Sequence, residues 1–194
     1  RQMCIRDRKY RHQIINKEIS VFNENDYQIL CDFANQKNNM SILNWNLKKP
    51  GEWAETDWIY DSVSEKYRLY DCNFNCLKLD GNIDLSGCTK IDNIDFASNN
   101  IRTVTLPVRN INEGEFYNCS KLEAVILQGG TTISSGAFMN CPALQAIYIP
   151  DSIADISDDA FANSSKVTIC ANTGSFAEAF ANKKGINFKS GSFL

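Results

Sequence analysis

The chain has almost no histidine. His12 is the single one among 194 residues, and a nucleophile triad or an imidazole general base needs histidine inside the folded part. Chemistry of that kind is excluded from everything that follows. The phosphate loop G-x-x-x-x-G-K-[ST], the dinucleotide fingerprint G-x-G-x-x-G and zinc-type spacings of Cys and His are missing as well, so no cofactor and no metal is expected. No apolar run approaches the 18 or more residues of a membrane-crossing helix, and membrane insertion is not expected. Nor does the chain open with the basic start and apolar middle of an export signal, which leaves a cytosolic protein or one whose leader has been lost. Excess positive charge is absent from the body of the chain. The formal charge is −3, but residues 1–22 carry Arg1, Arg6, Arg8, Lys9, Arg11 and Lys17 against Asp7 and Glu18, a net +4 that leaves −7 on the remainder. An acidic body is a poor partner for phosphate backbones, so nucleic acid is not expected.

What is present is ordinary globular composition, with 43% hydrophobic and 22% charged residues, which excludes disorder for most of the chain. Eight cysteines fit a disulfide framework in a secreted chain, but their positions read first as small buried residues. Cys119 and Cys141 either pack that way or, stacked on neighbouring coils, bridge to each other. Cys72 and Cys76 flank Phe74 and lack the further ligands that a zinc site wants.

The dominant feature is a repeat. Five segments run from an aliphatic residue to a phenylalanine five places on: Leu69 to Phe74, Ile91 to Phe96, Ile111 to Phe116, Ile133 to Phe138 and Ile156 to Phe161. The phenylalanines follow at intervals of 22, 20, 22 and 23. A second series interleaves with the first: Ile83-x-Leu85, Val104-x-Leu106, Val125-x-Leu127, Ile147-x-Ile149 and Val167-x-Ile169. A period in this range marks a solenoid, whose coils bury their apolar edges only by stacking. The alternation within the second series is that of a strand with one face inward. Each series should therefore stack into a ladder, with Phe74, Phe96, Phe116, Phe138 and Phe161 as an aromatic column inside the tube. Three places past the phenylalanine stand Leu77, Asn99, Cys119, Cys141 and Ser164. A small hydrogen-bonding group suits a tight corner there, because buried backbone groups need partners. Leu77 departs from the pattern.

Ile91, Ile94, Phe96, Asn99 and Ile101 fit the leucine-rich-repeat signature. The runs Phe116 to Leu127, with Cys119 and Leu122, and Phe138 to Pro150, with Cys141 and Leu144, resemble the BspA-type leucine-rich repeats of bacterial surface proteins. The resemblance covers Arg68 to Phe188. It implies an α/β repeat solenoid of about five coils of roughly 22 residues between helical N-terminal and C-terminal caps. It also implies export, to a cell surface or into the medium. With the outward strand face, the chain reads as a non-catalytic monomer that recognises an extracellular or host protein or a glycan, or else as a spacer or end cap of a larger surface protein with no ligand of its own, ahead of a hydrolase.

The chain then divides into residues 1–22, 23–67, 68–170 and 171–194. The string Met3 to Arg8 resembles read-through of a sequencing adapter in assembled metagenomic genes, so residues 1–22 read as an assembly artefact or a disordered tail, with the true start lost. A helix is expected from about Asn25 to Lys37, where apolar positions fall three and four apart. Trp45, Trp53 and Trp58 cluster after it, either to stack a ligand or, as preferred, to cover the open end of the solenoid. The helix and the Asn44-Trp45-Asn46 loop resemble the cap of extracellular leucine-rich-repeat arrays, without its paired cysteines. Leu79 to Leu85 resembles the L-x-G-x-I-x-L opening of such arrays. Ser175 and Glu178 form a capping box, and Lys183, Lys184 and Gly185 end that helix.

Candidate sites follow from what points outward. Asp84, Asp95 and Glu115 take outward positions and read as a solvated face rather than a catalytic pair. The stronger candidate is the outward face of the second ladder: Arg102, Thr105, Glu123, Ile126, Gln145, Tyr148 and Thr168. Ile126 and Tyr148 should be neighbours, and they read either as the apolar centre of an interface or as an ordinary cross-strand pair.

Overall fold

The computed structural model describes residues 17–192. The N-terminal string, His12 and the tail reading of residues 1–16 lie outside the described residues. Residues 17–22 do not behave as a tail: Phe22 is buried, bridges Tyr67 and packs edge-on against Trp58, with ring centres 5.0 Å apart.

Helix α1 (Glu24–Ala34) starts where the Asn23 side chain accepts from Asp26 N–H at 3.1 Å. The expected start at Asn25 is late because Asn23 is the asparagine placed to cap the third residue of the helix. The expected end at Lys37 is also late: Lys37 has φ 51°, which no helix continues through. Helix α2 (Asn39–Leu43) follows. Strands β1 (Thr56–Asp61) and β2 (Lys66–Asn73) form an antiparallel hairpin, and β4 (Asn93–Asp95) adds to β2 in parallel.

The second series builds the other side of the tube. Strands β3 (Asp80–Asp84), β5 (Asn100–Leu106), β6 (Ala124–Leu127), β8 (Ala146–Tyr148), β10 (Thr168–Ala171) and β11 (Asn187–Ser190) form one six-stranded parallel sheet. Their inward row is Ile83, Val104, Val125, Ile147, Ile169 and Phe188. The first series does not make a continuous ladder. After β4 the strands stop, and only a bridge from Ile111 to Ile133 and the pair β7 (Thr132–Ile133) with β9 (Asp155–Ile156) continue it. The break falls in the coil whose phenylalanine interval is 20 rather than 22.

The aromatic column holds across the break. Its ring centres are 5.1, 5.9, 5.4 and 5.5 Å apart from Phe74 to Phe161, and the last three pairs lie within 10° of parallel. Helix α1 extends it at one end through Phe33, and α3 (Phe176–Lys184) at the other through Phe180. The rings sit at corners that follow the first-series strands. Two residues past each ring, Cys76, Ser98, Asn118, Asn140 and Asn163 all have φ near +60°, a conformation that asparagine tolerates better than most residues. One place further on, the expected corner group is in position. Asn99, Cys119, Cys141 and Ser164 donate to the carbonyls of Phe74, Phe96, Phe116 and Phe138 at 2.7, 3.1, 3.1 and 2.7 Å. Cys119 and Cys141 are free thiols, not a disulfide.

All three tryptophans are buried. Trp45 stacks on Trp53 at 4.2 Å, and their indole N–H groups donate to Glu55 and the Asn46 carbonyl. They have no open face for a ligand to stack on. At the other end Ser175 accepts from Glu178 N–H at 3.2 Å and Gly185 has φ 67°, as the capping pattern predicts. The Glu178 carboxylate reaches the N–H of Gly174 rather than that of the cap residue.

Candidate functional site

The sheet β3 to β11 presents two outward rows. The first runs Asn82, Thr103, Ala124, Ala146, Thr168 and Asn187; the second runs Asp84, Thr105, Ile126, Tyr148, Cys170 and Lys189. Thr105, Ile126 and Tyr148 are therefore direct cross-strand neighbours, all half-buried, as the alternation predicts. Close pairing of this kind joins the three side chains into one strip.

Thr168 is not in that strip. Ile169 pairs with Ile147, so the fifth member of the second series is Ile169-x-Ala171 and not Val167-x-Ile169. The coil is one residue shorter between its corner and its strand. Val167 N–H bonds the Ser164 carbonyl as Leu144 bonds Cys141 and Leu122 bonds Cys119, so Val167 fills the corner slot of those leucines. Ile147 follows Leu144 by three places, but Ile169 follows Val167 by two. Cys170 takes the strip's place in the register but is buried, so the exposed strip is interrupted there before Lys189. Counting from the corner leucine, rather than from the strand, would have found this.

Glu123 and Gln145 stand just before β6 and β8, and Arg102 is the residue left over inside β5 where its register with β3 shifts. Arg102 donates to Asp80 at 3.2 Å and to Glu123 at 3.1 Å, and Lys121 reaches Asp80 at 3.0 Å. Partial burial pushes the Asp80 carboxyl up, but Lys121 and Arg102 outweigh it and hold the group below its ordinary range. Gln145 is exposed. The sequence reading did not single out Asp80 and Lys121, whose partners lie 22 and 41 positions away.

The carboxylates do not converge. Asp84 caps its own turn by accepting from Ser86 N–H. Asp95 lies in the other sheet and accepts from Asn75. Glu115 is buried, not outward: its carboxylate takes two bonds from Arg109 at 2.6 and 2.8 Å. Burial pushes the Glu115 carboxyl up, and Arg109 opposes the shift without cancelling it. No cluster of His, Cys, Asp and Glu fit to hold a metal occurs among the described residues.

The sequence model of the BspA type leucine rich repeat region matches residues 65–186, in six copies. The chain belongs to that family. The matched range holds five of the six parallel strands, β3, β5, β6, β8 and β10, together with β2 of the hairpin; β11 begins at Asn187, just past its end. This leucine-rich repeat is thus a solenoid built mostly of strands, in a family whose fold is generally non-catalytic. No curated protein and no solved structure matches the chain.

Proposed function

We propose that this leucine-rich repeat is a non-catalytic recognition module of a bacterial cell-surface or secreted protein, and that it binds an extracellular or host protein along the second outward row. One observation carries the reading: Ile126 and Tyr148 pair across adjacent strands at the middle of a sheet whose rim is charged and ion-paired. An apolar aromatic centre inside a polar rim is the anatomy of a protein interface. Helices α1 and α3 serve as end caps, each adding an aromatic ring to the column.

The test is binding of the full chain to an array of extracellular-matrix proteins and glycans, beside a variant carrying Ile126→Ser, Tyr148→Ala and Arg102→Ala with unchanged circular dichroism. Saturable binding to a matrix protein that falls at least about tenfold in the variant, a loss of about 1.4 kcal/mol, is expected. Binding to a matrix protein that the variant retains would move the contact off this row, and none by either chain would turn the module into a spacer within a larger surface protein.

A further inference from the structure

The sheet break described above contains a second site. Where the first-series ladder stops, a strand of the third coil would ordinarily bond the backbone of β4. Instead the Arg109 guanidinium enters the gap and donates to the Asp92 carbonyl at 2.8 Å. It is anchored there by Glu115, in an ion pair whose side chains are 7% and 1% exposed. A buried pair of this kind is costly to desolvate, and a hydrophobic pair of similar volume would often serve stability as well. The guanidinium is also incompletely satisfied, since its buried Nε–H has no acceptor among the described residues. Native proteins leave few such groups, and each calls for a reason.

A cleft of about 480 Å³ opens at this break, lined by Tyr70, Lys90, Asp92, Val108, Arg109 and Asn112 among others. Its size is within the range of small-molecule sites. Its charge narrows the ligand. Each cation on its wall has a carboxylate partner, Glu115 for Arg109 at 2.6 Å and Asp61 for Lys90 at 3.5 Å. No positive charge is left over for a phosphate, a sulfate or an acidic sugar, and Asp92 adds an acceptor. The Asp92 carboxylate accepts from Tyr70 O–H at 3.0 Å, which holds both groups in place at the mouth. Asn110 spends its Oδ1 on the N–H and hydroxyl of Thr131, which leaves its amide nitrogen as the donor the cleft can use. Tyr70 and Val108, 38% and 72% exposed, supply apolar surface beside these polar groups.

Planar amides and a carboxylate next to an aromatic ring suit a ligand with hydroxyls on its edge and C–H bonds on its face. We propose that the Arg109 cleft binds a neutral sugar residue, whose hydroxyls meet Asp92, Asn110 and Asn112 and whose ring lies against Tyr70. This site is on the opposite side of the tube from the Ile126 and Tyr148 strip and stands independently of it.

Saturation-transfer NMR and calorimetric titration of the full chain with the methyl glycosides of glucose, galactose, mannose, fucose and N-acetylglucosamine test this. Glucuronate and inorganic phosphate serve as charged probes. At least one neutral glycoside should bind saturably, weaken about tenfold or more in Asp92→Ala and in Tyr70→Ala, and remain unchanged in Ile126→Ser. Both weakening variants alter exposed side chains, so their circular dichroism should match that of the parent. The proposal is overturned if no neutral glycoside saturates, if glucuronate or phosphate binds as tightly, or if the two variants bind as well as the parent.

Discussion

The thiols of Cys119 and Cys141 occupy the corner slot that Asn99 and Ser164 fill in the neighbouring coils, and each donates to a phenylalanine carbonyl one coil back. Burial pushes both up to about 12, opposed by a backbone hydrogen bond in each case. Cys72 is likewise pushed well up by burial. Cys76 is the exposed thiol among the described residues. A thiol-specific reagent at pH 8 should therefore label Cys76 quickly and reach Cys72, Cys88, Cys119 and Cys141 only after denaturation, with Cys76→Ser losing one equivalent of the fast phase. The same shifts have a thermodynamic sign. Above pH 9 the unfolded chain releases thiol protons that the folded chain keeps, so the stability these groups contribute is present below 9 and declines as pH rises toward 12. Urea midpoints at pH 8 and at pH 10.5 should show that decline, and a midpoint that rises would contradict it. That a small polar group belongs in this slot was legible from spacing alone. That cysteine could act as its donor was not, because the acceptor lies 23 or 25 residues back in the chain.

Strand β3 shows at the scale of one element what spacing cannot supply. It is the first strand of the six-stranded sheet, and its outer edge would expose unpaired backbone. Two side-chain amides close it. Gln36 donates to the Asn82 carbonyl and accepts from its N–H, both at 2.7 Å; Asn39 does the same for Asp80 at 2.8 and 2.9 Å. Gly81 lies between them, at φ +125°, where a Cβ would come within 2.2 Å of Gln36 Oε1. The glycine of the L-x-G-x-I-x-L motif is thus explained by an amide 45 positions earlier. Gln36 lies in the turn that follows α1, inside the expected helix, and Asn39 opens α2, but their partners are 46 and 41 residues away and nothing local announces them. The double variant Gln36→Ala, Asn39→Ala leaves four backbone groups without their protein partners. It should cost about 2–4 kcal/mol in chemical denaturation and speed amide exchange at Asp80 and Asn82 selectively. Exchange that rises equally across all six strands would mean that the amides do not act on this edge.

Across the whole molecule the two sides of the tube are unequally continuous. The β3 to β11 sheet crosses every coil, whereas the opposite side is cut between β4 and Ile111, and the aromatic column spans the cut through Phe96 and Phe116 at 5.9 Å. Intervals near 22 made the column and the stacking legible, because each coil repeats the same short pattern. The cut was written in the same series as the interval of 20, yet its filling by Arg109 and Glu115 depends on how three coils lie together. In a solenoid stability is close to a sum of coil terms and contacts between neighbours, so the weakest junction sets where cooperativity fails. Phe116→Ala removes a fully buried ring at that junction and should cost about 3–5 kcal/mol. It should also separate the two halves in unfolding. All three tryptophans lie between Trp45 and Trp58 and report the first half alone, while far-ultraviolet dichroism reports both. In the parent the two urea transitions should coincide, as one cooperative unit requires. In Phe116→Ala they should part, with the coils beyond the cut lost at lower urea than the tryptophan-bearing hairpin and α1. Coincident transitions in the variant would show that the continuous sheet and the backbone bonds from Phe96 and Ser98 N–H to the Glu115 and Tyr117 carbonyls couple the halves without the ring, and the column would then contribute stability without cooperativity.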